Sequence, residues 1–378
     1  MTDRIQVMQP WLGDAEVEAV AAVIRSGWVA QGPKVAEFEM AFAEYSQTTG
    51  AVAVSSCTTG LHLVLHALGY VPGDEIIVPS LSFIATANAV RYVGATPVFA
   101  DVDVVTHNLT VETIDQAVTP ETKAIMAVHQ VGMPLDLDPL RSYCSDRGLR
   151  LVEDAACAAG STYRGRPIGA APALAVFSFH PRKLLTTGEG GMIVTTDAEF
   201  TARLKRLRAH SMSVSAHERH DAGRVQFEEY VELGFNFRMT DLQAAVGLVQ
   251  LGRLPAMIER RRLLAEAYRE ALGGVPGIVL PTDPPYGTTN YQSYTVRLTQ
   301  EYPITRDELM QRLLDKGVST RRGVMAAHRE PAFRGFDHRP LPNTELLVDQ
   351  VIILPLHHQM TDGDIDRVAE LIRLEARV

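Results

Sequence analysis

Cysteine is scarce in this 378-residue chain, which holds Cys57, Cys144 and Cys157 and no others. Three thiols without C-x-x-C spacing build no disulfide framework and offer no metal-ligand pattern, so no metal is expected and the natural setting reads as reduced. Long apolar runs are also missing. None approaches the roughly 18–20 residues that span a bilayer, and the opening Met1-Thr2-Asp3-Arg4 carries no signal-peptide core, so no membrane partner and a cytoplasmic location are expected. Positive charge is short as well: 36 Lys and Arg against 45 Asp and Glu give a net charge of −9. That balance argues against a nucleic-acid partner while leaving room for a local cationic pocket that takes an anionic small molecule. Low-complexity tracts and internal repeats are absent too, and the length suits two domains or one large domain with a smaller one appended.

What is present is alternation. Val17, Val20, Val23 and Ile24 recur at helical spacing after Asp14, predicting an amphipathic helix over 15–26 with Asp14 as its N-cap. A loop through Trp28, Gln31 and Gly32-Pro33 leads to a second helix over 35–45. Short apolar strands are then predicted at 51–54, 75–79, 97–100, 123–129, 149–153, 174–179 and 192–195, with helices between them. Seven such strands indicate an α/β fold whose sheet is mostly parallel and covered on both faces. Residues 211–230 lack periodicity and read as an exposed segment. Thr240-Asp241 opens a helix that Pro255 is expected to kink or break before it resumes to Leu272. Strands at 291–298 and 351–356 and helices at 306–316 and 364–377 follow. We therefore expect a large domain over 1–253 and a smaller α+β domain over 254–378, divided near Arg253–Gly274.

Sites in parallel sheets gather at the carboxyl ends of strands. Ser55–Thr59, Ser82-Phe83, Asp154 and Ser178–Lys183 all fall at such ends. Lys183 stands out because an ammonium in apolar surroundings is costly unless it is paired or loses its proton. A desolvated lysine becomes a neutral amine able to form a Schiff base with an aldehyde. A surface lysine between two strands is the alternative, and the stretch by itself favours neither.

Pyridoxal phosphate asks four things of a protein: a lysine for its aldehyde, a carboxylate for its pyridine nitrogen, a partner for its ring face and donors for its phosphate. Asp154 ends an apolar strand and is a candidate for the second, with a helix cap as the competing role. Thr58 and Thr59 sit in a strand-to-helix turn suited to phosphate, as many purely structural turns are. Ser178 adds a hydroxyl, and Phe83 offers an aromatic face unless it is simply core. Gly188-Glu189-Gly190-Gly191 suggests a tight turn needing positive φ. Singly these are weak; together, on several strand ends, they form a set.

The motifs Ser26-Gly27-Trp28 with Gly32-Pro33, Pro79-Ser80 through Ala87, Glu153-Asp154-Ala155-Ala156, Ser178-Phe179-His180 with Lys183, Glu189-Gly190-Gly191 and Gly234-Phe235-Asn236-Phe237-Arg238-Met239 occur in this order. In them the chain resembles the DegT/DnrJ/EryC1/StrS sugar aminotransferases, pyridoxal-phosphate enzymes of the aspartate-aminotransferase fold (type I). The resemblance implies that Lys183 carries the cofactor as a Schiff base, Asp154 meets the pyridine nitrogen, Phe83 stacks on the ring, and Thr58, Thr59 and Ser178 bind the phosphate. It implies that Asn236 reaches the phosphate of a neighbouring subunit, hence a homodimer with shared sites. It also implies transamination in two half-reactions, L-glutamate leaving the cofactor as pyridoxamine 5'-phosphate before a keto sugar takes up the amine.

Two positions depart from the family pattern. Cys57 replaces a more usual glycine, and Cys157 replaces a usual glutamine or histidine. The Trp28 and Arg182-Lys183-Leu184 contexts resemble members that aminate C4 of nucleotide-linked 4-keto-6-deoxyhexoses, dTDP-4-keto-6-deoxyglucose being favoured, in deoxyaminosugar pathways to antibiotics or polysaccharides. Trp28, Gln31, His180, Arg321, Arg322 and His328 are the substrate-binding candidates; for the arginines a solvated loop is the competing reading. A 3-keto sugar or cyclitol acceptor is the alternative within the family. Outside the aminotransferases stand a dehydratase, which Lys183 argues against, and a non-catalytic cofactor-binding regulator, for which the chain has no basic DNA-binding segment.

Overall fold

The computed structural model describes residues 4–214, 227–336 and 338–377. Most of the segment expected to be exposed, 211–230, lies outside the described residues. Helices α1 Asp14–Ser26 and α2 Pro33–Tyr45 precede a seven-stranded sheet. Its strands are β1 Gly50–Val54, β2 Glu75–Pro79, β3 Thr96–Ala100, β4 Thr122–Val128, β5 Arg150–Asp154, β8 Leu174–Ser178 and β9 Gly191–Thr195; the short strands β6 Thr162–Tyr163 and β7 Arg166–Pro167 belong to a separate three-stranded ribbon. The order across the large sheet is β1-β9-β8-β5-β4-β2-β3. Strand β9 runs antiparallel to both β1 and β8, and every other pairing is parallel.

Alternate side chains of one strand enter different cores, the mark of a sheet covered on both sides. Ala51, Ala53 and Ile77 pack on the face that meets α2, while Val52, Val54, Ile76 and Val78 pack with Leu61, Val64 and Leu65 of helix α3 Cys57–Ala67. On the α2 face Phe42 lies edge-on to Phe177 and Phe179, at centroid separations of 5.1 and 5.5 Å, which clamps the end of β8. The seven predicted strands all occur, their ends shifted by one residue at most.

Local caps explain the differences at helix ends. Gly13, not Asp14, is the N-cap of α1, because the Glu16 carboxylate accepts from the Gly13 amide at 2.8 Å. Helix α3 starts at Cys57, so Thr58 and Thr59 lie in its first turn rather than in a loop before it. The Asp241–Leu272 helix is continuous through Pro255; its first turn is closed by a box between Thr240 and Gln243.

A second core forms around Leu264, Tyr268, Tyr294, Val296, Leu309, Ile352 and Ile365, built on a four-stranded antiparallel sheet that includes Tyr294–Leu298, Arg321–Arg322 and Val351–Leu354. Ile5 enters this core and bridges Val318, and Leu356 donates its amide to the carbonyl of Val7. Ile5 and Val7 are thus stitched onto the four-stranded sheet, while α2 packs in the core of the large one.

The glycine run before β9 serves close approach more than turn geometry. Gly188 alone of Gly188, Gly190 and Gly191 has positive φ, +82°. Gly191 pairs with both Val54 and Ser178, and a Cβ there would stand 2.7 Å from backbone atoms of Ser56 and Cys57. Gly191→Ala is expected to lower stability by about 1–3 kcal/mol in chemical denaturation, because the obstacle is backbone; unchanged stability would show that β9 can move away from α3.

Candidate active site

Strands β5 and β8 are neighbours, so the residues leaving their carboxyl ends share one crevice. Asp154 is the last residue of β5 and is 4% exposed. Its Oδ2 accepts from Thr86 Oγ1 at 2.8 Å and its Oδ1 from the Ala156 amide at 3.1 Å. Burial pushes its pKa above the ordinary carboxylate value, with those two donors, Lys183 and His129 pulling the other way. Lys183 follows β8 by five residues and points its amine into the same enclosure, where Nζ donates to Cys157 Sγ at 3.0 Å. Burial works to lower the ammonium pKa, but Cys157, Cys57 and Asp154 outweigh it and hold it above the ordinary lysine value. A desolvated neutral amine was the expectation; the anionic and thiol neighbours reverse the sign.

The N-terminus of α3 opens on this crevice. Ser56 caps it by accepting from the Thr59 amide at 3.1 Å, and Thr59 Oγ1 answers by accepting from the Ser56 amide at 3.0 Å and donating to the Ser56 carbonyl at 2.8 Å. The two threonines therefore differ. Thr59 spends its hydroxyl proton inside the cap, whereas the Thr58 hydroxyl and the amides of Cys57 and Thr58 meet no partner among the described residues. Such first-turn amides are where a helix accepts an anion. Gly191, the partner of Ser178 across the β8–β9 ladder, lies directly against this helix start.

A further layer fixes these groups. The buried Glu153 carboxylate meets His129 Nε2 at 3.2 Å and Arg141 Nη2 at 3.1 Å. His129 Nδ1 accepts from the Leu135 amide, so the proton of the neutral ring resides on Nε2 and is donated to Glu153. Asn290 Nδ2 donates to the carbonyls of Cys157 and Ala159, both at 2.8 Å, and Asn290 Oδ1 accepts from the Gln292 amide at 2.7 Å. The Gln292 side chain in turn donates to the Arg182 carbonyl at 2.6 Å and accepts from the Leu184 amide at 3.1 Å, gripping the backbone on either side of Lys183. Thr86, Asn290 and Gln292 had escaped sequence reasoning. Thr86 carried the signal of a hydroxyl in the first turn of a strand-end helix; the other two lie more than 100 residues from the loops they hold.

At the rim, Phe83 is 69% exposed just beyond β2. His180 faces Glu189 at 3.9 Å and lies within the fields of Arg182, Lys183 and Arg321; burial first, then these cations, depress its pKa. Trp28 donates from Nε1 to the Gln31 carbonyl at 3.1 Å, and Gln31 Oε1 is a buried acceptor without a partner among the described residues. Arg322 is directed to Glu330 at 3.8 Å. His328, another of the substrate-binding candidates, sits deeper. It is buried, with Nδ1 against Ser80 Oγ and Nε2 against Glu345 Oε1, each at 2.6 Å, so both ring nitrogens are used inside the protein. Asn236 is exposed, and its Oδ1 accepts from Arg238 Nε at 3.0 Å.

A lysine enclosed with a carboxylate at the ends of adjacent parallel strands, beside a helix start with two free amides, defines an α/β enzyme built for Schiff-base chemistry. Residues 10–373 match the model of the DegT/DnrJ/EryC1/StrS aminotransferase family, and the chain belongs to that family. It is a pyridoxal-phosphate-dependent sugar aminotransferase. Among solved structures it is similar to the aminotransferase TlmJ from Streptoalloteichus hindustanus, with 37% identity, 98% of each chain covered and a TM-score of 0.90. It is also similar to S. venezuelae DesV, solved with a ketimine intermediate, with 36% identity, 100% of each chain covered and a TM-score of 0.91. DesI, solved in the presence of its TDP-sugar product, matches at 37% identity and a TM-score of 0.89, over 100% of this chain and 94% of that one.

The layer behind Asp154 has a pH signature. Burial alone would raise the Glu153 pKa, but His129 and Arg141 bring it below the ordinary 4.5. A depressed folded-state pKa contributes stability that is complete above the unfolded value and is lost as pH falls through the folded one. The stability advantage of the wild type over Glu153→Gln is therefore expected to be full at neutral pH and to shrink in acid below about 4.5. Unfolding midpoints of the two proteins across pH check this; a constant difference would disprove the ionic role.

Proposed function

We propose that the protein transfers the amino group of L-glutamate to a nucleotide-linked 4-keto-6-deoxyhexose, dTDP-4-keto-6-deoxyglucose being the favoured acceptor, and yields a 4-amino-4,6-dideoxy sugar nucleotide. The observation that carries this reading is the enclosure of the Lys183 amine with the Asp154 carboxylate, in a chain of an aminotransferase family.

The residues present fit pyridoxal phosphate by their donor and acceptor chemistry. A desolvated carboxylate, an enclosed amine and two unpaired helix-start amides match a ring N–H, an aldehyde and a phosphate. When bound, the cofactor supplies an electron sink for the pair released as a substrate C–H bond breaks. Asp154 would keep the ring nitrogen protonated, Phe83 would cover a ring face, and Thr58, Ser178 and the amides of Cys57 and Thr58 would hold the phosphate. To Thr59 we assign the shaping of the helix start rather than a hydroxyl contact.

Lys183 Nζ then moves the proton. It takes one from the α-carbon of L-glutamate in the first half-reaction and returns one to the former keto carbon of the sugar in the second. For this it must be deprotonated, and Cys157, Cys57 and Asp154, which favour the charged form of the free lysine, weigh against that release. Arg182 and Arg321 give the entrance a positive field suited to the diphosphate of a sugar nucleotide, with His180 a neutral hydrogen-bonding group beside them. DesI, solved with a TDP-sugar product, supports that acceptor class.

Asn236, exposed on its own protomer, would complete the site of a second copy, which makes the working form a homodimer. Residues 1–253 are read as the cofactor-binding unit and 254–378 as a smaller unit that brings Arg321 to the mouth. Three unpaired cysteines fit a reduced, cytoplasmic location.

Two measurements test the assignment. L-glutamate added to the purified yellow protein should abolish its visible absorbance, and an unchanged spectrum would sink the transaminase reading. Lys183→Ala should lower turnover by roughly 10²–10⁴-fold or more, the range for removing a general base. Among keto-sugar nucleotides, 4-keto-6-deoxyhexoses should give the highest kcat/KM; preference for a 3-keto sugar would reassign the acceptor.

A further inference from the structure

We propose that Cys157 and Lys183 form a peroxide-responsive modification site, in which thiol and amine become joined by a sulfenamide (S–N) bond that withdraws the lysine. Sγ and Nζ stand 3.0 Å apart, within reach of bond formation by a small side-chain shift. Both backbones are held by one segment: Asn290 binds the Cys157 carbonyl and Gln292 binds the residues before and after Lys183. The two loops that carry the sulfur and the nitrogen are therefore tied to the same short stretch of chain. Cys157 is partly exposed, whereas Cys57, the other thiol of the enclosure, is buried and donates toward the Val176 carbonyl at 3.7 Å. An accessible sulfur beside a cation is the setting in which cysteines are oxidised selectively.

The chemistry balances with hydrogen peroxide as oxidant. The sulfur attacks one peroxide oxygen, the O–O bond breaks, and sulfenic acid and water form, with sulfur oxidised by two electrons and peroxide reduced. Nζ first gives its ammonium proton to solvent; its lone pair then attacks sulfur, the S–O bond breaks, and the departing hydroxide takes one amine proton as a second water. An external thiol reverses the change by attacking sulfur and releasing the amine. That the modification silences catalysis rests on the function proposed above; the bond itself rests on the geometry alone.

The full-length protein freed of cofactor is treated with hydrogen peroxide and weighed intact. The expected result is a loss of about 2 Da, a digest in which the Cys157 and Lys183 peptides are linked, and recovery of the original mass with dithiothreitol. Cys57→Ser should keep the link and Cys157→Ser should abolish it. In Lys183→Arg, Cys157 should instead advance to sulfinic acid. An unchanged mass, a Cys57–Cys157 disulfide, or oxidised Cys157 beside an unmodified Lys183 would overturn the proposal. Prior saturation with pyridoxal phosphate should block the link; a link formed undiminished would leave the modification standing and count against Lys183 as the cofactor lysine.

Discussion

A buried carboxylate at the end of one strand and a half-buried lysine carried by its neighbour form the constraint on which this site depends. Either charge alone in such an enclosure would cost several kcal/mol, and each lowers the cost of the other. Asp154 and Lys183 can hold that arrangement because β5 and β8 are paired in register and buried on both faces. The thiols of Cys57 and Cys157 add to the balance and tip the lysine toward its charged form. Its proton thus answers to a small set of neighbours.

Close approach of backbone does the remaining positioning. Without a side chain at Gly191, β9 lies against the start of α3, and Ser178 is the next residue across the sheet. The capping box between Ser56 and Thr59 rigidifies that helix start while leaving those two amides unsatisfied. Asn290 and Gln292, from the segment before the Tyr294 strand, hold the loops of Cys157 and Lys183 by side chain to backbone bonds. The geometry is shared among three regions distant in sequence.

Much of this was readable beforehand, for physical reasons. Central strands of a parallel sheet are short, apolar and bounded by turn residues, so all seven declared themselves, and with them the strand-end positions of Asp154 and Lys183. What depended on partners did not. A histidine in sequence does not reveal that both its nitrogens are engaged, as those of His328 are by Ser80 and Glu345. Two consecutive threonines look alike until one is drawn into a cap. Charge states were also misjudged, because the sign of the lysine shift is set by Cys157, 26 residues away.

The stitching of Ile5 and Val7 to Val318 and Leu356 has a bearing on biosynthesis. During translation the sheet and Lys183 emerge well before residues 290–292 and 318–356. A nascent chain can pair its central strands, yet its lysine loop lacks the grip of Gln292, and its first residues have nothing to dock on until the last fifth of the polypeptide leaves the ribosome. Completion of the site is thereby tied to completion of the chain.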